Sequence, residues 1–219
     1  MTLTLYGHPF SSYTEKVLLA LDEMGLDFAF QRLGPDAPEA VAAFEAISPM
    51  RRMPVLVDRG RAVFESSIMI EYLQINHPGS ARLIPEAPDA ALEVRLMDRF
   101  FDNYIMTPML RLAFNESRPA EQRDPFGADE ARALLGTAYT WLNGVMAQRT
   151  WASGADFSLA DCCAAPALLF AHWTQPIGEG LSDVHSYRRR LLQRPSFARI
   201  VEAARPFRRY FPLGAPEND

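Results

Sequence analysis

Apolar and polar positions alternate over residues 2–6, where Thr2, Leu3, Thr4 and Leu5 lead to Tyr6 and Gly7, and the period of two predicts a strand. The period then lengthens. Val17, Leu18 and Leu21 fall on one face of a helix over residues 12–24, which Gly25 ends. Residues 28–33 form a second strand candidate, and residues 39–46 a helix that stops before Ser48-Pro49. Two short apolar runs, 55–57 and 62–64, flank Asp58-Arg59-Gly60, a hairpin signal. Residues 66–74 return to helical spacing and are closed by His77-Pro78-Gly79.

Three breakers, Gly79, Pro85 and Pro88, then sit among polar residues, so 79–88 is expected to be a linker between a first domain at 1–78 and a second at 89–219. Beyond it strand signals nearly vanish. Helical periodicity covers residues 92–114, kinked or broken near Pro108, then 128–148, 158–173, 187–193 and 196–204. The first half has the element order β-α-β-α-β-β-α. The expected fold is therefore an α/β thioredoxin-like N-terminal domain plus an all-α C-terminal helical domain.

Composition narrows the function. The chain has 219 residues and a formal net charge of -5, which argues against a general nucleic-acid or anionic-membrane binder. An arginine-rich stretch from Arg188 to Arg209, with Glu202 as its single acid, reads either as the solvated face of terminal helices or as a patch steering anionic substrates. Lys16 is the only lysine, which by itself reads as compositional bias. The two cysteines, Cys162 and Cys163, are adjacent, make a poor disulfide pair and read as core residues. The N-terminus lacks the regions of a signal peptide, and no apolar stretch is long enough to span a bilayer. A reduced, cytoplasmic protein is expected. His8, His77, His172 and His185 are scattered, without partners at metal-ligand spacing, so no metal site is expected.

Two dipeptides carry candidate chemistry. Met53-Pro54 leads an apolar run, where a missing N–H need not join a ladder. In thioredoxin-like proteins such a proline is usually cis and presents the preceding backbone to an extended peptide. The alternative is an ordinary trans edge proline. Glu65-Ser66 opens a helix, whose free N–H groups and positive dipole end suit a carboxylate, while Glu65 suits an ammonium. The alternative there is plain capping by Ser66 or Ser67.

Four segments together give a family resemblance: GHPFSSYTEKV (7–17), SPMRRMPVL (48–56), FESSIMIEYL (64–73) and DFSLADCCAAPAL (156–168). Over nearly its full length the chain resembles a cytosolic glutathione transferase of the serine type, similar to theta- and zeta-like bacterial members. The resemblance implies glutathione as co-substrate, with Arg52 toward the glycyl carboxylate, the backbone of Met53 beside Pro54 toward the cysteinyl residue, and Glu65 and Ser66 toward the γ-glutamyl end. It also implies a homodimer.

A transferase of this kind needs a thiolate. Lowering a thiol pKa of roughly 8.5 by two units takes about 2.7 kcal/mol of preferential stabilisation, which a hydroxyl and a helix N-terminus can supply. Ser11 and Ser12 both precede the first helix. Ser12-Tyr13-Thr14-Glu15 fits a capping box, which would commit Ser12 and leave Ser11 for the sulfur; Ser12 stays open as the alternative, with Tyr6 and Tyr13 behind it. Ser158-x-x-Asp161 is a second helix cap, expected to serve folding. The first domain has no cysteine, and Tyr13 stands where the zeta-type isomerases carry one, which puts maleylacetoacetate isomerisation in doubt. An apolar electrophile is expected to meet Phe10, Tyr104, Met106, Pro108, Met109 and Trp173, although aromatic and methionine stripes are usually core. Three functions stand: glutathione transfer to an electrophile; another glutathione-dependent reaction such as peroxide reduction, dehalogenation, ether cleavage or isomerisation; and a noncatalytic binding protein of the same fold.

Overall fold

A computed structural model describes residues 3–77 and 81–217. Its one sheet runs in the order β2-β1-β3-β4, from β1 (Leu3–Gly7), β2 (Phe28–Arg32), β3 (Val55–Asp58) and β4 (Arg61–Val63). β1 and β2 are parallel, joined by α1 (Ser12–Glu23); β3 and β4 run antiparallel to their neighbours. The register pairs Leu5 with both Phe30 and Leu56, and Tyr6 with Val55. Successive side chains alternate faces. Tyr6, Val55 and Val57 therefore share one face and pack with Val41, Phe44 and Ile47 of α2 (Pro38–Ile47). The other face carries Leu3, Leu5 and Leu56, all buried, and it receives α1. Gly7 marks how close α1 comes: a Cβ there would lie 2.6 Å from Thr14 Cγ2. The helix α3 (Ser66–Asn76) packs beside α1 and buries Met69, Ile70 and Leu73.

The hairpin between β3 and β4 has a two-residue turn. Asp58 pairs with Arg61, and Arg59 and Gly60 both take positive φ, 50° and 82°. That is the turn whose twist matches paired strands. Beneath it Asp58 is buried and accepts hydrogen bonds from Tyr72 Oη and His77 Nε2, both at 2.9 Å, which ties the end of α3 to the hairpin. Burial alone raises this carboxyl, but the bonds from His77 and Tyr72 outweigh it and hold Asp58 below the usual range.

The chain divides into two compact units between Ile84 and Pro85. The expected linker is thus partly built into the first unit. Gln74 accepts the N–H groups of Leu83 and Ile84 and donates to the Ile84 carbonyl, each at 2.9 Å, and both residues are buried. Pro78 and Gly79, read as the stop of α3, lie outside the described residues.

The second unit is helical: α4 (Pro88–Phe100), α5 (Thr107–Glu116), α6 (Pro125–Met146), α7 (Leu159–Thr174), α8 (Ser182–Leu192) and α9 (Pro195–Ala204). The kink expected near Pro108 is a π-helical segment, Phe101–Met106, between α4 and α5. The Thr107 N–H reaches back five residues to the Asp102 carbonyl, and the Thr107 hydroxyl donates to the same oxygen at 2.8 Å. A proline ring crowds the preceding helical turn, and the widened turn gives Pro108 room. α7 is the hub, with Cys162, Cys163 and most of its other side chains buried. Among the described residues no helix is long and apolar enough to cross a membrane.

Candidate functional site

The strand register gathers the candidate residues of the first unit. β1 ends where β3 begins, because Tyr6 pairs with Val55, and β4 ends there too, because Val63 pairs with Leu56. The loop to Ser11, the Met53-Pro54 step and the Glu65-Ser66 step therefore leave the sheet at one edge. The Met53-Pro54 bond is cis. Arg52 and Met53 are exposed and Pro54 is buried.

Two helices start at this edge. α1 begins at Ser12, with Ser11 as its N-cap residue in an extended conformation (φ -130°, ψ 117°), and the Ser11 side chain makes no capping hydrogen bond. This corrects the expected capping box. Ser12 is already inside the first turn and buried, and Glu15 is buried within the fold. The capping argument that set Ser12 aside is thereby removed; Ser11 is half-buried one step before the helix, and Ser12 lies within it. Upstream, His8 Nδ1 accepts the Phe10 N–H at 3.1 Å, shaping the loop that delivers Ser11. Burial, and then Arg32, hold the His8 imidazole below its ordinary pKa, which suits an accepting, neutral ring.

α3 begins at Ser66, with Glu65 as its N-cap residue. Neither Ser66 nor Ser67 caps it. Glu65 takes φ 64° and ψ 116°, a left-handed conformation that costs a non-glycine residue about 1–3 kcal/mol, and its side chain makes no capping bond. Its carbonyl accepts the Met69 N–H at 2.8 Å, so the helix proceeds normally from there. Ser66 is buried and Glu65 exposed. Both helix N-termini thus offer backbone N–H groups and positive dipole ends at the same edge, with no side chain of their own closing them. A carboxylate or a thiolate is the chemistry such an edge favours.

The residues expected at an electrophile pocket are spread over both units. Phe10 is half-buried in the loop before Ser11. In the helical unit Tyr104 is exposed, its ring 5.8 Å from that of Phe100. Met106, Met109 and Pro108 are buried, so packing is what they do here, in line with the usual role of a methionine stripe. Trp173 is also buried, against Phe170 and Phe211 and beneath the Arg208 guanidinium.

Linear spacing concealed several groups. Asp98 and Asp102 of neighbouring turns meet Cys163 of α7, their ligand-type atoms all within 4.8 Å. The Cys163 thiol donates to Asp102 Oδ1 at 3.1 Å, and Arg99 pairs with both carboxylates. A guanidinium thus already supplies the positive charge a cation would bring. Ser158 and Asp161 form the expected reciprocal cap of α7, and Asp161 additionally accepts the Ala152 N–H at 2.8 Å and Tyr187 Oη at 2.6 Å. Lys16, read as a compositional accident, is fully buried and donates to Ser67 Oγ at 2.8 Å. A lone lysine inside an apolar helical pattern was the available signal.

The profile of the glutathione S-transferase N-terminal domain matches residues 5–81, and that of the C-terminal domain matches residues 125–211. A glutathione S-transferase of Pseudomonas putida is 32% identical over 162 residues, covering 73% of this chain and 70% of its own length. A stringent starvation protein A homolog of Coxiella burnetii is 27% identical over 201 residues, 89% of each chain. The crystal structure of a Methylobacterium radiotolerans glutathione S-transferase in complex with glutathione sulfonate superposes with a TM-score of 0.78 at 26% identity, covering 92% of this chain and 95% of that one.

Proposed function

Because the chain belongs to the glutathione S-transferase family, we propose that it binds glutathione at the edge where α1 and α3 begin and transfers the whole tripeptide, through its sulfur, to an apolar electrophile. The observation that carries this reading is the pair of uncapped helix N-termini, at Ser11 and Glu65, leaving the same edge of the sheet as Met53-Pro54. The γ-glutamyl carboxylate takes the N–H and hydroxyl of Ser66, and its ammonium takes Glu65. The backbone of Met53 pairs with the cysteinyl residue, and Arg52 meets the glycyl carboxylate. Ser11 donates its hydroxyl to the sulfur and, with the dipole of α1, favours the thiolate; the thiolate then attacks the electrophile and displaces its leaving group.

Calorimetry with glutathione tests binding, and turnover of chlorodinitrobenzene against cumene hydroperoxide separates transfer from peroxide reduction. No heat of binding sinks the reading at its base. The relationship to stringent starvation proteins favours a second reading, a noncatalytic protein of this fold; glutathione binding without turnover of either substrate selects it. We further propose a cytoplasmic homodimer. The buried thiols of Cys162 and Cys163, which form no disulfide, suit a reducing compartment, and the exposed apolar side chains Leu92, Leu96 and Trp141 suit a covered surface. Light scattering after size exclusion measures the latter.

A further inference from the structure

Lys16 is the only lysine of the chain and has no exposed surface. Burying an ammonium is costly unless hydrogen bonds compensate it. One of its bonds crosses from α1 to α3, to Ser67 Oγ at 2.8 Å. The position of that contact is informative. Ser67 lies in the first turn of α3, beside Ser66 and next but one to the left-handed Glu65. Lys16 lies one to two turns into the helix that Ser11 begins. A charged hydrogen bond thus links the two helix starts from inside the fold.

We propose that Lys16 is a positioning residue for the glutathione site: through Ser67 it fixes the first turn of α3 against α1, and so sets the spacing between Ser66, which receives the γ-glutamyl carboxylate, and Ser11, which receives the sulfur. This rests on the glutathione reading for its ligand, while the link between the helices does not. Fixing α3 is separate work from fixing its far end, where Asp58 holds Tyr72 and His77. Without the Lys16 link, the strained turn at Glu65 has less to hold it, and ordering it falls to the ligand.

Two measurements on Ser67→Ala, Lys16→Met and Lys16→Arg decide the proposal. The first is amide hydrogen exchange of the ligand-free protein. Ser67→Ala is expected to speed exchange in the first turn of α3 about tenfold, the order of effect for a hydrogen bond to a charged group, while β1 and β3 keep their protection. The second is steady-state kinetics with glutathione varied. KM for glutathione is expected to rise about tenfold in Ser67→Ala and more in Lys16→Met, exceeding any fall in kcat, and Lys16→Arg, which keeps charge and donors, recovers most of it. Unchanged exchange in Ser67→Ala overturns the proposal, as does acceleration spread evenly over the sheet. So does a Lys16→Arg variant no better than Lys16→Met. Should Lys16→Met fail to fold, Ser67→Ala removes the same link while leaving the buried charge in place. Should the wild-type protein bind no glutathione, the functional reading falls, and local exchange still decides whether Lys16 holds α3.

Discussion

Helices α1 and α7 are both preceded by a serine and carry an acid near their first turn, in the similar strings Ser12-Tyr13-Thr14-Glu15 and Ser158-Leu159-Ala160-Asp161. At α7 the string becomes a closed cap. Asp161 Oδ2 accepts the Ser158 N–H at 2.9 Å and the Ser158 hydroxyl at 3.0 Å, and the Ala152 N–H and the Tyr187 hydroxyl fill its other oxygen. At α1 the helix starts one residue earlier relative to the string, and the cap residue Ser11 spends no side-chain bond on it. α3 repeats the second arrangement with Glu65. The closed start ties α7 into its own fold, while the open starts of α1 and α3 leave their N–H groups at one edge of the sheet, where we propose that glutathione binds. The contrast can be attacked from either side.

The largest expected effect is at the closed cap. Asp161→Ala strands the N–H groups of Ala152 and Ser158 and the hydroxyl of Tyr187 in the interior. We expect a loss of about 4 kcal/mol in urea unfolding, with glutathione affinity of the folded fraction unaltered. A loss below about 1 kcal/mol breaks the contrast. Next is the open start. Ser11→Ala is expected to raise the pKa of bound glutathione thiol by about one to two units, read by thiolate absorbance, while stability changes by less than about 0.5 kcal/mol. Were Ser11 a working cap, its removal would cost about 1 kcal/mol instead, and that result would count against the assignment.

The same contrast explains what the sequence could and could not say. The order of elements, the division into an α/β and a helical unit and the cap at Ser158 were all legible, because period, breakers and a complete capping pattern are local signals. The choice between Ser11 and Ser12 came from a local signal that misled: Glu15 was read as reaching back to Ser12, but the helix begins one residue sooner and Glu15 is buried in the fold. Tertiary packing of α1 overrode the pattern. Lys16 and the Asp98, Asp102 and Cys163 cluster were hidden for the complementary reason. Their partners lie on other elements, and no spacing along the chain announces them.

Smaller in free energy is the strain at Glu65. Glycine adopts φ 64° without a Cβ penalty. Glu65→Gly is therefore expected to stabilise the protein by about 1 kcal/mol and, by removing the partner of the γ-glutamyl ammonium, to weaken glutathione binding about tenfold or more. Stabilisation together with lost binding is the signature of strain kept for function. A destabilised variant that binds glutathione normally contradicts it.

The smallest effect at neutral pH belongs to the helical unit. His172 Nδ1 accepts the Ile177 N–H at 3.1 Å and the ring stands edge-on to His185. Burial first, then Arg188 and His185, lower its pKa from 6.5 to about 4. A protonated Nδ1 cannot accept that N–H, so the fold prefers the neutral ring. The sign follows: above pH 6.5 the ring is neutral folded or unfolded and costs nothing, and between 6.5 and about 4 the unfolded chain takes up a proton that the folded chain refuses. Stability is lost progressively across that window. His172→Asn keeps an acceptor for Ile177 and removes the titration, so its unfolding free energy should fall less steeply with acid than that of the wild type, while the two agree in slope above pH 7. Equal slopes from pH 7 down to 4 would mean that the ring takes its proton as readily in the fold as out of it, and that the turn after α7 does not depend on the His172 acceptor.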